Sequence, residues 1–283
     1  MAFATLGTST PQISTPPTPN PYETDKLLNE YLLFHYGSPE EVLPYAFGPI
    51  DALDYPVRCV HECVTAADFS DGARALDLGC AVGRSSFELA KLCREVVGID
   101  YSHRFVAAAE GIRTSGGVDY FRADEGDCGT PLRASLPTGV DPERVRFEQG
   151  DAQDLRQDLG SFDVVLLANL IDRLREPARC LRRLPELVRQ GGLLVVTSPY
   201  TWLEEYTPRK EWLGGLPGGE VGSRSTLDGL RRHLEPAFRL ETTRNLPFLI
   251  REHARKFQWS VAEASLWRRL PHSILAPVIQ PNQ

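Results

Sequence analysis

The stretch ALDLGCAVGRSS, residues 75–86, decides the fold class of this chain. A short apolar run ends in Asp77, and a tight turn that begins at Gly79 leads into a helical segment. Glycine has no Cβ, so such a turn lets backbone N–H groups approach a ligand closely. A dinucleotide-binding turn would carry G-x-G-x-x-G, but Ala81 and Arg84 replace its second and third glycines. The stretch therefore predicts a ligand-binding strand–turn–helix unit and disfavours a NAD-dependent oxidoreductase.

Short apolar runs alternate with helical stretches on both sides of this turn. We predict five strands of one buried sheet, at residues 73–78, 95–100, 145–150, 162–169 and 193–198. We predict helices between them, at residues 85–93, 103–113 and 177–189. Alternation of this kind is typical of βαβ units and a parallel sheet. A later helix at 226–234 and two strands, at 238–246 and 257–267, complete an α/β fold with a mostly parallel seven-stranded sheet and helices on both faces.

The predicted domain leaves a tail at each end. Residues 1–21 are rich in Thr, Ser and Pro and are expected to be a disordered tail, and residues 271–283 a second tail. One domain is expected over residues 22–270, divided into an N-terminal helical cap, a cofactor-binding core and substrate-side segments at 22–66, 73–200 and 201–270. The insertion at 114–144 is longer than most loops of compact domains, and such loops are usually functional or disordered. The sequence does not decide between these two.

Composition excludes several classes of partner. The net charge of −7 argues against a nucleic-acid or anionic-membrane partner, which would call for a basic face. No stretch is apolar and long enough to cross a bilayer, and the N-terminus lacks a signal-peptide pattern. No metal is expected, because His61 would point away from Cys59 and Cys63 on a helix. The six cysteines form no CxxC pair, so a reducing cytoplasm is the expected location.

Acidic residues end three consecutive predicted strands, at Asp77, Asp100 and Asp151. Ligands of open α/β sheets bind at this carboxyl edge. The acid–x–Gly–x–x–x–Gly pattern of residues 77–83 resembles the first motif of class I S-adenosylmethionine-dependent methyltransferases. That resemblance implies S-adenosylmethionine as cofactor, with Asn169 in the active site. It implies cofactor contacts from Asp77, Gly79, Cys80, Ala81, Gly83, Asp100, Tyr101, Asp151, Ala152 and Asn169.

Four other segments resemble a narrower family, the C-terminal methyltransferase domain of ovothiol synthases (4-mercaptohistidine N1-methyltransferase). They are ANLIDRL (168–174), SPYTWLEEYTP (198–208), WLGG (212–215) and REHARKFQW (251–259). The resemblance covers roughly residues 22 to 269. It implies methylation of a ring nitrogen of 5-thiohistidine, giving ovothiol A. The family's larger enzyme also carries an iron-dependent sulfur-transferring half, so we expect a functional link to a separate iron-dependent sulfoxide synthase.

A zwitterionic, aromatic substrate needs a cation, hydrogen-bond acceptors and flat apolar surfaces. Candidate cations for its carboxylate are Arg173, Arg251 and Lys256, and candidate acceptors for its amine are Glu204, Glu205 and Glu252. Rings that could hold the imidazole are Tyr36, Tyr200, Trp202 and Tyr206. Trp212 is expected only to pin its loop to the core. Catalytic candidates are Asn169 by position, with His35, His253 or Tyr206 as a base that frees the ring nitrogen.

Two alternatives remain open at this stage. The acceptor could be another small imidazole, or a thiol or selenol metabolite. The chain could also bind S-adenosylmethionine without turning it over and act as the partner of a sulfur-transferring enzyme. The acids and glycines of the cofactor motif are all in place, which speaks against a decayed site but does not exclude the second alternative.

Overall fold

The computed structural model describes residues 20–65, 69, 72–217 and 225–271. Both predicted tails, 1–21 and 271–283, therefore lie almost entirely outside the described residues. The helices are α1 (Asp25–Tyr36), α2 (Pro39–Val42), α3 (Tyr55–His61), α4 (Arg84–Ala90), α5 (His103–Ser115), α6 (Pro177–Leu187) and α7 (Thr226–Leu234). The strands are β1 (Arg74–Leu78), β2 (Glu95–Asp100), β3 (Gly117–Glu125), β4 (Cys128–Ser135), β5 (Val145–Gln149), β6 (Phe162–Ala168), β7 (Val188–Ser198), β8 (Phe238–His253) and β9 (Lys256–Arg269).

Seven of these strands form one sheet in the order β5-β2-β1-β6-β7-β9-β8. The first five are parallel, and β9 runs antiparallel to both β7 and β8. This confirms the predicted mostly parallel α/β sheet, and it is the Rossmann-like fold of class I methyltransferases. Chain order reverses between β1 and β6, so the sheet has its topological switch point there.

The alternation of side chains along the central strands gives each face of the sheet its own core. In β6, Val164 and Leu166 pack with α3, α4 and α5, whereas Val165 and Leu167 pack with α6 and α7. Strand β7 divides in the same way. Successive side chains of a strand point to opposite faces, so fully apolar runs are buried on both sides. Helices therefore cover both faces, as the sequence predicted.

Strand ends differ from the prediction chiefly at the antiparallel edge. Strand β8 extends to His253 and β9 begins at Lys256, so the two form a long hairpin instead of two short strands. Strand β7 begins at Val188, five residues before the predicted start at 193. The apolar pattern indicated only the buried middle of each strand, because the exposed ends are polar and carry no alternation that marks them.

The insertion at 114–144 is neither a loop nor disordered. Strands β3 and β4 pair antiparallel in a separate two-stranded sheet that packs against α1. The sequence contained a signal for this hairpin, since Gly126 and Asp127 separate two runs of alternating residues. Gly126 adopts a positive φ of 57°, as a tight hairpin turn requires.

Gly83 fixes the start of α4 against the sheet. Its φ is 87°, and a Cβ at this position would lie 2.6 Å from Cζ of Phe147 on β5. The aromatic ring thus occupies the space that any larger residue at position 83 would need. Gly83 therefore serves close helix–sheet packing at the foot of the cofactor turn.

Replacing Gly83 by alanine should destabilise the fold more than the same change at Gly116. Gly116 also has a positive φ, 74°, but a Cβ there would meet nothing within 4 Å. Gly116→Ala carries only the backbone strain, about 1 kcal/mol, whereas Gly83→Ala adds overpacking against Phe147 and should lose about 3 kcal/mol. Urea unfolding of both variants measures the difference. Equal losses would show that the contact with Phe147 does not govern this position.

Candidate active site

A cavity of about 450 Å³ opens at the carboxyl edge of β1, β2, β5 and β6, beside the switch point of the sheet. Small-molecule sites typically measure about 300–1,000 Å³, so this one suits a cofactor with part of a substrate. Its lining includes most of the predicted cofactor residues: Asp77, Gly79, Cys80, Ala81, Asp100, Tyr101, Asp151, Ala152 and Asn169. Gly83 is the exception, because it packs under the turn and does not face the cavity.

A left-handed turn after β1 forms the floor of the cavity. Gly79 and Ala81 have φ values of 73° and 48°. The Gly79 N–H donates to the carbonyl oxygen of Ile99 at 2.8 Å, and the Ala81 N–H donates to Oδ2 of Asp100 at 2.9 Å. Asp100 Oδ1 accepts the Ser102 N–H at 2.9 Å. The end of β2 therefore holds the turn after β1 in place and fixes the Asp100 carboxylate beside it.

Asp77 is a buried acid with an incomplete hydrogen-bond set. The Ser86 hydroxyl donates to its Oδ2 at 2.7 Å, while Oδ1 accepts no hydrogen bond from any residue that the structure describes. Burial raises the pKa of Asp77 to about 7, the Ser86 hydrogen bond opposes this rise, and the nearby Asp100 carboxylate adds to it. A buried oxygen without a donor is costly, so this position fits a ligand that brings a donor or a positive charge.

Asn169 ends β6 in an unusual and firmly held conformation. Its φ is 52°, and its N–H donates to the Thr197 carbonyl at 2.9 Å. Its side-chain Oδ1 accepts the hydroxyl of Tyr55 at 2.7 Å, and the same hydroxyl lies 2.7 Å from Oγ1 of Thr197. Strained residues held by several contacts are concentrated at functional sites. Because Oδ1 is engaged by Tyr55, the amide nitrogen is the group that Asn169 offers to the cavity.

The N-terminal cap supplies aromatic walls that sequence reasoning missed. Tyr22, Tyr31, Phe34 and Tyr55 of the cap line the cavity, together with Phe105 of α5. The rings of Tyr31 and Phe105 lie 4.7 Å apart, and those of Tyr22 and Tyr31 meet edge to face at 6.0 Å. The missed signal was the helical spacing of Tyr31, Phe34 and His35, which places them on one side of α1.

His35 lines the cavity in a neutral form. Its Nδ1 is buried and has no hydrogen-bond partner among the described parts of the chain. Burial lowers the pKa of His35 to about 3, and the charge of Arg84 lowers it further. A base with so low a pKa does not hold a proton near neutral pH. This low pKa disfavours the prediction that His35 acts as a general base, although the ring can still accept a hydrogen bond.

Arg173, Glu205 and Tyr206 form the polar side of the cavity. Nη1 of Arg173 donates to Asp172 Oδ2 and to the Thr201 carbonyl, both at 3.0 Å. The guanidinium carbon lies 4.8 Å from the centre of the Tyr206 ring, within the range of a cation–π contact. These contacts hold one positive charge at the wall next to Asn169.

Comparison with known families agrees with this geometry. Residues 76–196 match a family described as "Methyltransferase domain". These residues form a class I methyltransferase domain. S-adenosylmethionine is the cofactor of such a domain. The match runs from β1 to β7 and includes the carboxyl ends of β1, β2, β5 and β6 that border the cavity, whereas Ile250 of β8, which also lines the cavity, lies outside it.

Relatives of this methyltransferase domain act on different acceptors. Ajmaline N-methyltransferase of Rauvolfia serpentina is 24% identical over 180 residues, which are 62% of this chain and 53% of that protein. A ubiquinone biosynthesis O-methyltransferase of Azorhizobium caulinodans is 29% identical over 127 residues, or 45% and 40% of the two chains. The chain thus spans about half the length of the curated relatives it matches. Their names include both N- and O-methyltransferases, so the shared segment does not determine the acceptor atom.

A solved S-adenosylmethionine-dependent methyltransferase from Methanosarcina mazei aligns with 72% of this chain and 95% of its own, with a TM-score of 0.48 and 19% identity. The assignment of the fold depends on the strand order of the present chain and not on this likeness. Among the described residues, no helix is long and apolar enough to span a membrane, and no three His, Cys, Asp or Glu side chains are grouped as a metal site.

The residues of the methyltransferase domain fit S-adenosylmethionine. Asp77 offers an unpartnered buried oxygen to the ammonium group of the cofactor, and Asp100 offers a fixed carboxylate to its ribose hydroxyls. Asp151, whose Oδ1 accepts the Gln153 N–H at 2.8 Å, and the Ala152 backbone would hold the adenine. Three acids thus lie on one edge of one sheet, as the sequence predicted.

Three of the expected substrate rings lie elsewhere. Trp202 is buried in the core under α7, where its Nε1 donates to Thr226 Oγ1 at 2.8 Å. The Tyr200 hydroxyl donates to Glu263 at 3.1 Å on β9, away from the cavity. Tyr36 is half-buried, and its hydroxyl donates to the Val82 carbonyl at 2.7 Å, so it braces the cofactor turn from behind. Of the rings predicted to face the substrate, only Tyr206 lines the cavity.

Trp212 does pin its loop, as expected. Its ring stacks on Trp202 at 6.4 Å, and its Nε1 donates to the Thr207 carbonyl at 2.8 Å. The two tryptophans anchor the segment after β7 to the core, and this anchoring presents Glu205 and Tyr206 to the cavity. Glu204 is exposed and does not line it.

The charged residues of the β8–β9 hairpin also fall outside this cavity. Arg251 is buried against Asp124 and the Glu41 carbonyl, at 2.8 and 2.7 Å. Glu252 pairs with Lys256 at 2.7 Å, and His253 accepts the Arg255 N–H at 3.3 Å. Residues 251–256 therefore do not line the active-site cavity. The spacing of the motif gave no indication that β8 carries them past the edge of the active site.

Cofactor binding should depend on pH through Asp77. Its pKa of about 7 lies above the ordinary value near 4, so the folded protein holds a proton on Asp77 below pH 7 and loses it as the pH rises. The ionised form pairs better with an ammonium group, so the affinity for S-adenosylhomocysteine should rise about tenfold between pH 6 and pH 8. Titration calorimetry at several pH values measures this.

Asp77→Asn should abolish this pH dependence, because the amide does not titrate. Asp119→Asn, an exposed change on β3, should retain it. The same pH dependence in Asp77→Asn as in the native protein would assign the titration to another group.

Proposed function

We propose that the chain transfers a methyl group from S-adenosylmethionine to a ring nitrogen of 5-thiohistidine, giving ovothiol A and S-adenosylhomocysteine. The observation that supports this most is the polar wall beside Asn169, where Arg173 and Glu205 place opposite charges around a ring-lined cavity. A small aromatic zwitterion matches that arrangement. The proposal also rests on the resemblance of residues 168–174 and 198–215 to the ovothiol synthase methyltransferase domain, since these segments carry Arg173, Glu205 and Tyr206.

Each part of this substrate has a partner in the cavity. Arg173 would bind the carboxylate, and Glu205 would bind the amine. Tyr31, Phe34 and Tyr206 offer flat surfaces for the imidazole ring. Arg251, Glu252 and Lys256, the other expected partners, have no part in this arrangement.

The cofactor, when bound, supplies an electrophilic methyl group on a sulfonium centre. The residues of the chain hold the acceptor nitrogen in line with that methyl group and keep the thiolate sulfur, a better nucleophile, turned away. Positioning of this kind can contribute about 7–11 kcal/mol to rate acceleration. The amide of Asn169, fixed by Tyr55 and Thr197, orients the imidazole. A neutral His35 accepts a hydrogen bond without taking the proton, so the substrate must bind with its reacting nitrogen unprotonated.

The direct test is turnover by the purified chain. Incubation with S-adenosylmethionine and 5-thiohistidine should yield S-adenosylhomocysteine and a product methylated on nitrogen, which fragmentation mass spectrometry distinguishes from an S-methyl product. Histidine, a selenium analogue and other thiol-imidazoles serve as competing acceptors. Faster turnover of one of these acceptors would show that it, and not 5-thiohistidine, is the substrate. Binding of the cofactor without turnover of any acceptor would favour the non-catalytic alternative.

Arg173→Gln should weaken substrate binding selectively. Loss of one charged hydrogen bond costs about 1.5–3 kcal/mol, so KM for 5-thiohistidine should rise about 10–100-fold. KM for the methyl donor should stay within about twofold, because the donor does not contact this wall. Arg179→Gln, a change in an exposed pair with Asp154, provides the control. An unchanged KM for 5-thiohistidine would remove Arg173 from the substrate site.

Tyr55→Phe should reduce kcat without reducing cofactor affinity. The change removes the hydroxyl that holds Oδ1 of Asn169 and leaves the ring in the core. We expect kcat to fall about tenfold, since an active-site amide that can rotate positions the acceptor poorly. Kinetic assays and calorimetry with S-adenosylhomocysteine measure the two effects separately. Parallel losses of kcat and cofactor affinity would indicate general disruption and not misplaced Asn169.

A further inference from the structure

A second cavity, of about 230 Å³, lies between α1, the β3–β4 hairpin and β8. Helix α1 contributes to both cavities with different residues: Tyr31, Phe34 and His35 line the active site, whereas Lys26, Asn29, Glu30 and Leu33 line the second cavity. Its volume corresponds to about eight water molecules, so it has room for a small metabolite. The inserted hairpin forms one wall, so this space exists only because of the insertion.

Arg251 forms the floor of this second cavity, and one of its N–H donors has no acceptor among the described residues. Its side chain is only 2% exposed. Nη1 donates to the Glu41 carbonyl at 2.7 Å and Nη2 to Asp124 Oδ1 at 2.8 Å. Its Nε is buried and has no hydrogen-bond partner within the described ranges. An unpaired donor on a buried cation is among the costlier groups to leave unsatisfied.

The positive charges of Arg251 and Arg122 face only one shared carboxylate, that of Asp124. Arg122 donates to the same Asp124 carboxylate at 2.9 Å, so two guanidinium groups share one acid. The charge of Arg122 acts on Arg251 and, after burial, contributes to lowering its pKa. The floor therefore carries a net positive charge that favours an anionic group at the Arg251 Nε.

The opposite side of the cavity carries carboxylates. Glu30 Oε1 is buried and accepts no hydrogen bond from the described residues, and the nearest cation, Nζ of Lys26, is 3.7 Å away. Burial raises the pKa of Glu30, Lys26 opposes the rise, and the Glu252 carboxylate adds to it. Glu252 is already paired with Lys256 at 2.7 Å and accepts a hydrogen bond from Gln258 at 2.8 Å, so Glu30 is the carboxylate of the two that favours a further cationic partner.

We propose that this cavity binds a small apolar amino acid as its zwitterion, with the carboxylate at Nε of Arg251 and the ammonium at Oε1 of Glu30. A simple anion would give Nε of Arg251 an acceptor but would leave Oε1 of Glu30 without a donor, and a simple amine would leave Nε of Arg251 without an acceptor among the described residues. Leu33 and Phe121 supply apolar surface for the side chain. The site is separate from the methyl-transfer cavity, and it does not rest on the function proposed above.

Cys128 provides a reporter of occupancy. It lines this cavity and is the one exposed thiol among the six cysteines, all of which the structure describes. Alkylation of Cys128 by iodoacetamide in the full-length chain can be followed by mass spectrometry of the labelled peptide. Three probes of similar shape separate the charge requirements: L-leucine, 4-methylpentanoate without the ammonium, and 3-methylbutylamine without the carboxylate.

L-leucine at about ten times its Kd should slow alkylation about tenfold, because only about a tenth of the sites remain free. Neither single-charge probe should protect at the same concentration. Equal protection by 4-methylpentanoate or by 3-methylbutylamine would overturn the zwitterion proposal. No protection by L-leucine would show that the cavity holds water only. The assay uses no methyl donor, so its outcome is independent of methyl transfer.

Variants test the named groups. Glu30→Gln removes the charge at constant shape and should abolish protection by L-leucine, whereas Glu235→Gln, after α7, should retain it. Arg251→Lys keeps the charge but removes the Nε donor, and it should likewise lose protection. Thermal unfolding checks that the variants are folded. Protection that persists in both folded site variants would contradict the assignment.

Discussion

The hydrogen bond from the Ala81 N–H to Asp100 Oδ2, at 2.9 Å, joins the ends of the two strands that hold the cofactor. It anchors the left-handed turn after β1 and, together with the Ser102 N–H on Oδ1, fixes the Asp100 carboxylate. The Gly79 N–H···Ile99 bond, at 2.8 Å, reinforces the same junction. Asp77 lies directly before this turn, and its Oδ1 has no partner among the described residues. The fold thus holds a preorganised acidic edge whose complement is a cationic, hydroxyl-rich ligand.

The strand ends that form the cofactor edge do not determine which methyl acceptor binds. The N-terminal cap supplies the remaining walls of the cavity. Helix α1 brings aromatic rings over the sheet edge, and α3 brings Tyr55 to Asn169. The segment after β7 is anchored by two tryptophans and therefore holds Tyr206 against Arg173. Aromatic walls and the guanidinium of Arg173, held by Asp172 and Tyr206, would suit a flat molecule with a negative group.

The sheet could be predicted from the sequence because buried parallel strands are recognisable as apolar runs. The shared location of the three acids could be predicted because parallel strands place their carboxyl ends on one edge of the sheet. Sequence reasoning failed for side chains whose position depends on packing against residues far away in the chain. Trp202 and Arg251 are chemically suited to bind a substrate, yet one is needed in the core and the other pairs with Asp124 across 127 residues of chain. Tyr55 was missed because its partner Asn169 is 114 residues away. The inserted hairpin was missed because its length suggested a loop.

The most direct test of the central claim is a crystal structure of the chain with S-adenosylhomocysteine. The account predicts that the ligand's ammonium group contacts Asp77, its ribose contacts Asp100, and its sulfur faces Asn169 across the remaining space of the cavity. A ligand bound away from the edge formed by β1, β2 and β5, or bound there without contact to Asp77 and Asp100, would contradict it.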